Sequence, residues 1–384
     1  MSLEPLTETF YRRKLEQIQT KLAEAELDGI LLLNQYNVIY ASGFFHTPSE
    51  RPIGFYIPAS GEPTLYIPLL EQENAADGWV TDIRTYFEFP GDTHPVFWMA
   101  QDSGAKRLGI DSLEHSLFAE LEQRQKVFTS KIVDLLRYVK EPEELSLIRK
   151  AASYADYYLH YLYDHAADFM REGASELDIL NTCLKATLEH QASELGEAFA
   201  KTKVGVTVTV HTQERAALPH GKPIHRKPKI GEVLIAGVGA SVGGYHAESG
   251  ATFVLGNATD DQMKCLNAAA ACNDAAVEAL RVGATCQEVN EAALEQLKLA
   301  GLSEYIRHRI GHGMGIEGHE APWLAPGDDT KLKANMVFSN EPGIYRPDID
   351  GYRTINTMIV TEGKAKVPSK FLSNHPPEAR VLEL

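Results

Sequence analysis

Cysteine is scarce in this sequence, and the few present are not spaced for a scaffold. Cys183, Cys265, Cys272 and Cys286 form no C-x-x-C pair, and all fall in helix-like segments. That argues against a disulfide framework or a zinc knuckle and for a reducing compartment. Positive charge is short as well: 37 Lys and Arg face 53 Asp and Glu, a formal net charge of -16. A phosphate backbone would be repelled, and the basic residues are scattered, so no nucleic-acid partner is expected. No run approaches the ~18–20 apolar residues of a membrane span, and the opening MSLEPLTETFYRRKLEQ lacks the apolar core of a signal peptide. The expectation is a cytoplasmic protein with no membrane partner. Long low-complexity segments are missing too.

What is present is an ordinary globular composition, 44% hydrophobic and 23% charged, in 384 residues. That length exceeds one common core and predicts two domains. The first third alternates helix and strand. Apolar residues at helical spacing (Phe10, Leu15, Ile18, Leu22) predict a helix over Thr9–Glu26. The stretches GILLLNQYNVIYASGF and RPIGFYIPASGEPTLYIP read as strands, and RLGIDS with LFAELEQRQ as a further strand and helix. Pro142, within Glu141-Pro142-Glu143-Glu144, suits the first turn of a new helix, where a proline and acids are favoured. The domain boundary is therefore set at about residue 138, giving domains 1–138 and 139–384.

The second domain repeats itself. Arg171–Ile179, REGASELDI, recurs as Arg281–Val289, RVGATCQEV, 110 residues later. In each copy a glycine ends one helix and Ser175 or Thr285 can cap the next. A strand pattern is also written twice, over Gly231–Gly256 and Asn335–Gly363, each passing through Gly-Tyr into a β-branched strand. Sliding one over the other pairs Gly237 with Glu341 and Glu248 with Ile355. A symmetric site would carry an acid at all four positions, and only Glu248 and Glu341 are acids. The duplication predicts two halves about a pseudo-twofold axis, an antiparallel sheet covered by helices, and one shared cleft.

Histidines gather in glycine-rich turns near those acids. His220 lies in LPHGK, and His312 and His319 lie seven apart in GHGMGIEGH. Glycine on both sides of His312 permits close backbone approach. His246 falls on the same side of its strand as Glu248, two residues away, and could contact a substrate or pack structurally. In the first domain, Phe44 and Arg51 belong to an aromatic, charged loop (43–51) that could close a neighbour's pocket or simply sit on the surface.

With these residues in hand, the chain resembles the pita-bread family of creatinase, prolidase, aminopeptidase P and methionine aminopeptidase. LPHGK, GHGMGIEGHEAP, FSNEPGIY and GYRTINTMIVTEG match its motifs in order, and the first ~138 residues resemble its creatinase/prolidase N-terminal domain. The fold implied is α/β: a creatinase/prolidase-type N-terminal domain, then an internally duplicated pita-bread domain with an antiparallel sheet and covering helices. The resemblance also implies a homodimer.

Metallopeptidases of this family hold two ions with two Asp, one His and two Glu. Carried over, these ligands fall on Gly237, Glu248, His312, Glu341 and Ile355, and Asn356 stands where an acid usually follows. Gly237 and Ile355 offer no donor, and two hard cations need more anionic oxygen than remains. The cofactor expected is none, or a single divalent ion (Mn, Zn or Co) on Glu248, His312 and Glu341. The catalytic candidates are His220, His312, His319, Glu248 and Glu341. The resemblance makes His220 a substrate-binding imidazole or general base and Arg353 a partner for a substrate carboxylate or for Glu341. The preferred function is creatinase-like hydrolysis of a C–N bond in a small zwitterion with one metal ion or none; the alternatives are an Xaa-Pro dipeptidase or aminopeptidase with a reduced metal site and a non-catalytic peptide-binding module.

Overall fold

The computed structural model describes residues 3–384, which divide into two compact units, Pro5–Arg137 and a larger one built on Tyr138–Leu384. Among the described residues, no helix is long and apolar enough to cross a membrane. The four cysteines are buried and free.

The first unit is a six-stranded sheet in the order Asp82–Tyr86, Thr64–Pro68, Gly54–Pro58, Gly29–Leu32, Leu108–Ile110, Val127–Thr129. Gly29–Leu32 is buried throughout because it pairs on both edges, antiparallel to Gly54–Pro58 and parallel to Leu108–Ile110. The expected long strand after it is instead a strand and a helix, Gln35–Ser42. The Asn34 side chain accepts from the Tyr36 and Asn37 amides, and Gly43 closes the helix at φ 73. A short apolar run such as Val38-Ile39-Tyr40 fits either a buried strand or a buried helix, and the cap decides it.

In the second unit, helix Pro142–Glu172 begins at the expected proline, with the Glu144 carboxylate accepting from the Glu141 amide at 2.7 Å. Gly173 ends it at φ 67, and Ser175 caps helix Glu176–Leu195. Thr285 caps Cys286–Leu299 in the same way. The second copy differs at one point. Helix Asp260–Ala279 stops before Gly283, which turns the connection at φ 88 rather than capping the helix.

The main sheet runs Glu320–Leu324, Gly311–Gly313, Val337–Asn340, Ile355–Ile359, Tyr245–Leu255, Val233–Val242, Gly205–Thr212, with these neighbours antiparallel. Three strands lie beyond Ile355–Ile359 and two beyond Tyr245–Leu255, with Val381–Leu382 pairing parallel to the latter as an eighth strand; at the junction of the two halves Ile355 faces Gly250 and Asn356 faces Ser249. Exchange of Glu248 with Ile355 fits that register. The ladder equivalent of Gly237 is Ser339, however, two residues short of Glu341, because Gly237 pairs with Gly250 and Ser339 with Thr357. An offset of two keeps the same face of a strand. Glu341 therefore shares the face on which the repeat predicts it, one step beyond the strand end.

Alternation sorts the two faces. Ser249 bonds Asp156 on one long helix, and Asn340 and Asn356 bond Asn273 on another. Their neighbours Glu248, Ile355 and Ser339 point the opposite way, into the cleft.

Candidate active site

Two cross-strand rows make the cleft floor. One holds Gly237, Gly250 and Ile355. The next holds Gly239 and Glu248, then Thr357, Ser339 and His312. Side chains directly opposite across a ladder share a face, so chemistry on the second row converges.

Glu248 is tightly held. Its Oε2 accepts from the Ser339 hydroxyl at 2.6 Å, its amide donates to Thr357 Oγ1 at 2.8 Å, and its carbonyl accepts from Thr357 and Ser369. Burial raises its carboxyl pKa against the opposing pull of Ser339. His312 is fully buried, with Nδ1 against the Gly313 carbonyl. Its Nε2 has no hydrogen-bond partner and stands 3.5 Å from Glu341 Oε1 and 3.8 Å from Glu248 Oε2. Burial depresses the imidazole pKa to about 4, so the ring is neutral near pH 7. His319 stacks on it with ring centroids 3.8 Å apart and stays largely exposed. The Glu341 amide is fixed by the Ile310 carbonyl at 2.6 Å.

Glu248, His312 and His319 offer ligand atoms within 4.8 Å of one another. With an unpartnered His312 Nε2 aimed between two carboxylates, this donor set fits one divalent ion. A Cβ on Gly237 would lie 2.8 Å from Arg353 Nη2 and 3.2 Å from Ile355 Cδ1, so a guanidinium and a methyl group fill the space an acid would take.

Arg353 is buried at 7% exposure. Its Nη1 donates to the Pro219 carbonyl at 3.3 Å and Nη2 to Thr209 at 3.2 Å, while Nε has no partner. Among the described residues it makes no ion pair. Its bond to Pro219 ties the loop carrying His220 to the cleft, as does the 2.7 Å contact of His211 Nε2 with the Gly221 carbonyl. The His220 ring itself is exposed and makes no hydrogen bond among the described residues.

His246 does something else. Its amide and Nδ1 both meet the Gly315 carbonyl, at 2.8 and 3.2 Å, so it anchors the 311–319 loop; burial holds its pKa at about 4. In the first unit, Phe44 stacks on His46 and Arg51 is engaged by Glu50 and Glu88. Sequence reasoning missed Ser339, Thr357 and the His308–Tyr345 contact of 2.8 Å. Tyr345 lies within a motif already noted, but the hydroxyls carry no sequence signal until the strand register is known.

The chain matches Metallopeptidase family M24 over residues 146–362 and the Creatinase/Prolidase N-terminal domain over residues 14–141. It is 30% identical to a protein of Mycobacterium tuberculosis named probable dipeptidase PepE, covering 92% of this chain and 93% of that one. It is 28% identical to the Xaa-Pro dipeptidase of Pyrococcus furiosus, covering 92% and 97%. Among solved structures, dipeptidase PepE from Mycobacterium ulcerans superposes with a TM-score of 0.83 at 27% identity, over 95% of this chain and 96% of that one. With its motifs, its duplicated sheet and these matches together, the chain belongs to metallopeptidase family M24, a family of C–N hydrolases.

Proposed function

We propose that this protein hydrolyses the amide C–N bond of a dipeptide-sized substrate of the Xaa-Pro class, at a site holding at most one divalent ion. One observation carries the reading: His312 Nε2, Glu248 and Glu341 converge, and over the neighbouring row lies the Arg353 guanidinium, which makes no ion pair among the described residues. The names of the relatives support dipeptides over the small creatine-like compounds first suggested by the missing acids.

A dipeptide carries its carboxylate one residue from the scissile bond, which suits docking on Arg353. The amide then lies towards Glu341 and Glu248. Glu341 takes a proton from the attacking water and delivers it to the leaving nitrogen, so that oxygen joins the carbonyl carbon as the C–N bond breaks. His319 at the rim can hydrogen-bond the carbonyl oxygen as it gains charge. An ion held by Glu248, His312 and either His319 or Glu341 would supply a Lewis-acid charge. The proposal includes a cytoplasmic homodimer.

A second reading, metal-free hydrolysis of a small zwitterion, is favoured by Arg353 and Ile355 filling the space beside Gly237. The test is chelator-treated enzyme assayed on Xaa-Pro dipeptides, other dipeptides and guanidino acids, with one equivalent of Mn²⁺ returned. Metal-restored cleavage of Xaa-Pro supports the first reading, and chelator-resistant cleavage of a zwitterion supports the second. Binding without turnover of any substrate leaves a non-catalytic module and overturns both.

A further inference from the structure

Behind the sheet, on the face away from Glu248 and Glu341, lies a cavity of about 340 Å³ with mixed polar and apolar walls. It opens between helix Asp260–Ala279, the start of strand Ile355–Ile359 and the segment leading to Arg380. Arg380 is 2% exposed, yet its Nε and Nη1 have no hydrogen-bond partner, and among the described residues it makes no ion pair. Burial lowers its pKa only to about 10, so the guanidinium is charged at neutral pH. On the same wall, Thr354 Oγ1 and Asn356 Oδ1 are also buried without partners. Ser369 and Ser373 add hydroxyls, and the Asp274 carboxylate lies at the solvent side.

A buried charge without a partner is costly, and a fold keeps one where something else satisfies it. Asp274 and Glu378 act on Arg380 electrostatically without reaching ion-pair distance. Nε and Nη1 lie on different sides of the guanidinium, so each is a separate unfilled donor beside a charge that an oxyanion can neutralise. The unfilled acceptors on Thr354 and Asn356, with Asp274 beyond them, call for donors on the rest of the ligand.

We infer that this cavity is a binding site for a small hydroxylated oxyanion, its carboxylate or phosphate on Arg380 and its hydroxyls on Thr354, Asn356 and Asp274. The site is separate from the cleft and does not depend on the function proposed above. Its back wall still touches the cleft: Ser369 donates to the Glu248 carbonyl, and Thr354 and Asn356 flank Ile355.

The experiment is calorimetric titration of the full chain with malate and with glycerol 3-phosphate at constant ionic strength, which separates the carboxylate and phosphate sources. At least one probe should bind with a stoichiometry near one. Arg380→Lys, which keeps the charge but loses the fixed guanidinium donors, should weaken binding about tenfold or more, and Thr354→Val should weaken it several-fold. Glu341→Gln should bind as the parent does. Absence of binding by either probe overturns the inference. So does binding that survives Arg380→Lys but is lost in Glu341→Gln, which would put the probe in the cleft. A crystal structure soaked in the tighter probe that shows only water at Arg380 Nη1 overturns it as well.

Discussion

Gly237 and Arg353 are coupled by space: the glycine leaves room in which the guanidinium lies, 2.8 Å from where a Cβ would stand. Restoring the family's acids should therefore change metal binding only if both positions change. Gly237→Asp alone is expected to pair with Arg353 and gain little. Gly237→Asp with Ile355→Glu should bind Mn²⁺ at least about tenfold more tightly than the parent, by calorimetry. Equal affinity in the double variant would show that these positions do not face the ion.

Glu341→Gln keeps the shape and loses the charge. Turnover should fall by about 10²–10⁴-fold, the usual reach of general acid–base catalysis, with the melting temperature nearly unchanged. A collapse of stability instead would make Glu341 structural.

Arg353→Met should raise KM for free-carboxylate dipeptides by about tenfold or more, with a smaller effect on kcat. Dipeptide amides should be insensitive to the change. Equal losses on both substrates would take Arg353 out of carboxylate recognition.

Beneath the 311–319 loop, Lys140 Nζ and Glu320 Oε1 form a buried pair at 2.8 Å. Lys140→Met takes the buried cation away from the Glu320 carboxylate and should cost about 3–5 kcal/mol in denaturant unfolding. Lys140→Met with Glu320→Leu should recover most of that loss. A harmless single variant would show that water reaches the pair.

His211 is held below its ordinary pKa, chiefly by burial, so the folded state keeps it neutral where the unfolded chain takes a proton. Stability should fall as pH drops below about 6.5, with this residue contributing at most ~1.4 kcal/mol per pH unit until its folded pKa is passed. His211→Gln keeps a donor for Gly221 and removes the titration. Its stability should decline less over that window, measured by urea unfolding at several pH values.

Much of the cleft was legible in the sequence because a duplication supplies its own alignment. The missing acids at Gly237 and Ile355 could be named from the repeat and the family motifs. The two-residue offset of Gly237 against Glu341 could not, because register depends on pairing across strands that a linear alignment does not see. Helix Gln35–Ser42 resembles a strand in the sequence for a related reason: its apolar run carries no period, and Asn34 decides its state. The polar links to Glu248 from Ser339 and Thr357 join residues about a hundred positions apart. Arg380 gave no signal at all, since an arginine near a C-terminus reads as surface until its burial is known.

Glu248 and the buried Arg353 stand over neighbouring rows of the cleft floor, not over the same one. Glu341 and Glu248 flank His312, while Arg353 leans over Gly237 beside Thr209. The floor is thus an electric dipole built from fixed side chains. A molecule with an ammonium at one end and a carboxylate at the other feels a torque before it touches anything, and one orientation is selected during approach. Salt should weaken that alignment, so the on-rate for zwitterions falls with ionic strength while that for uncharged analogues stays flat.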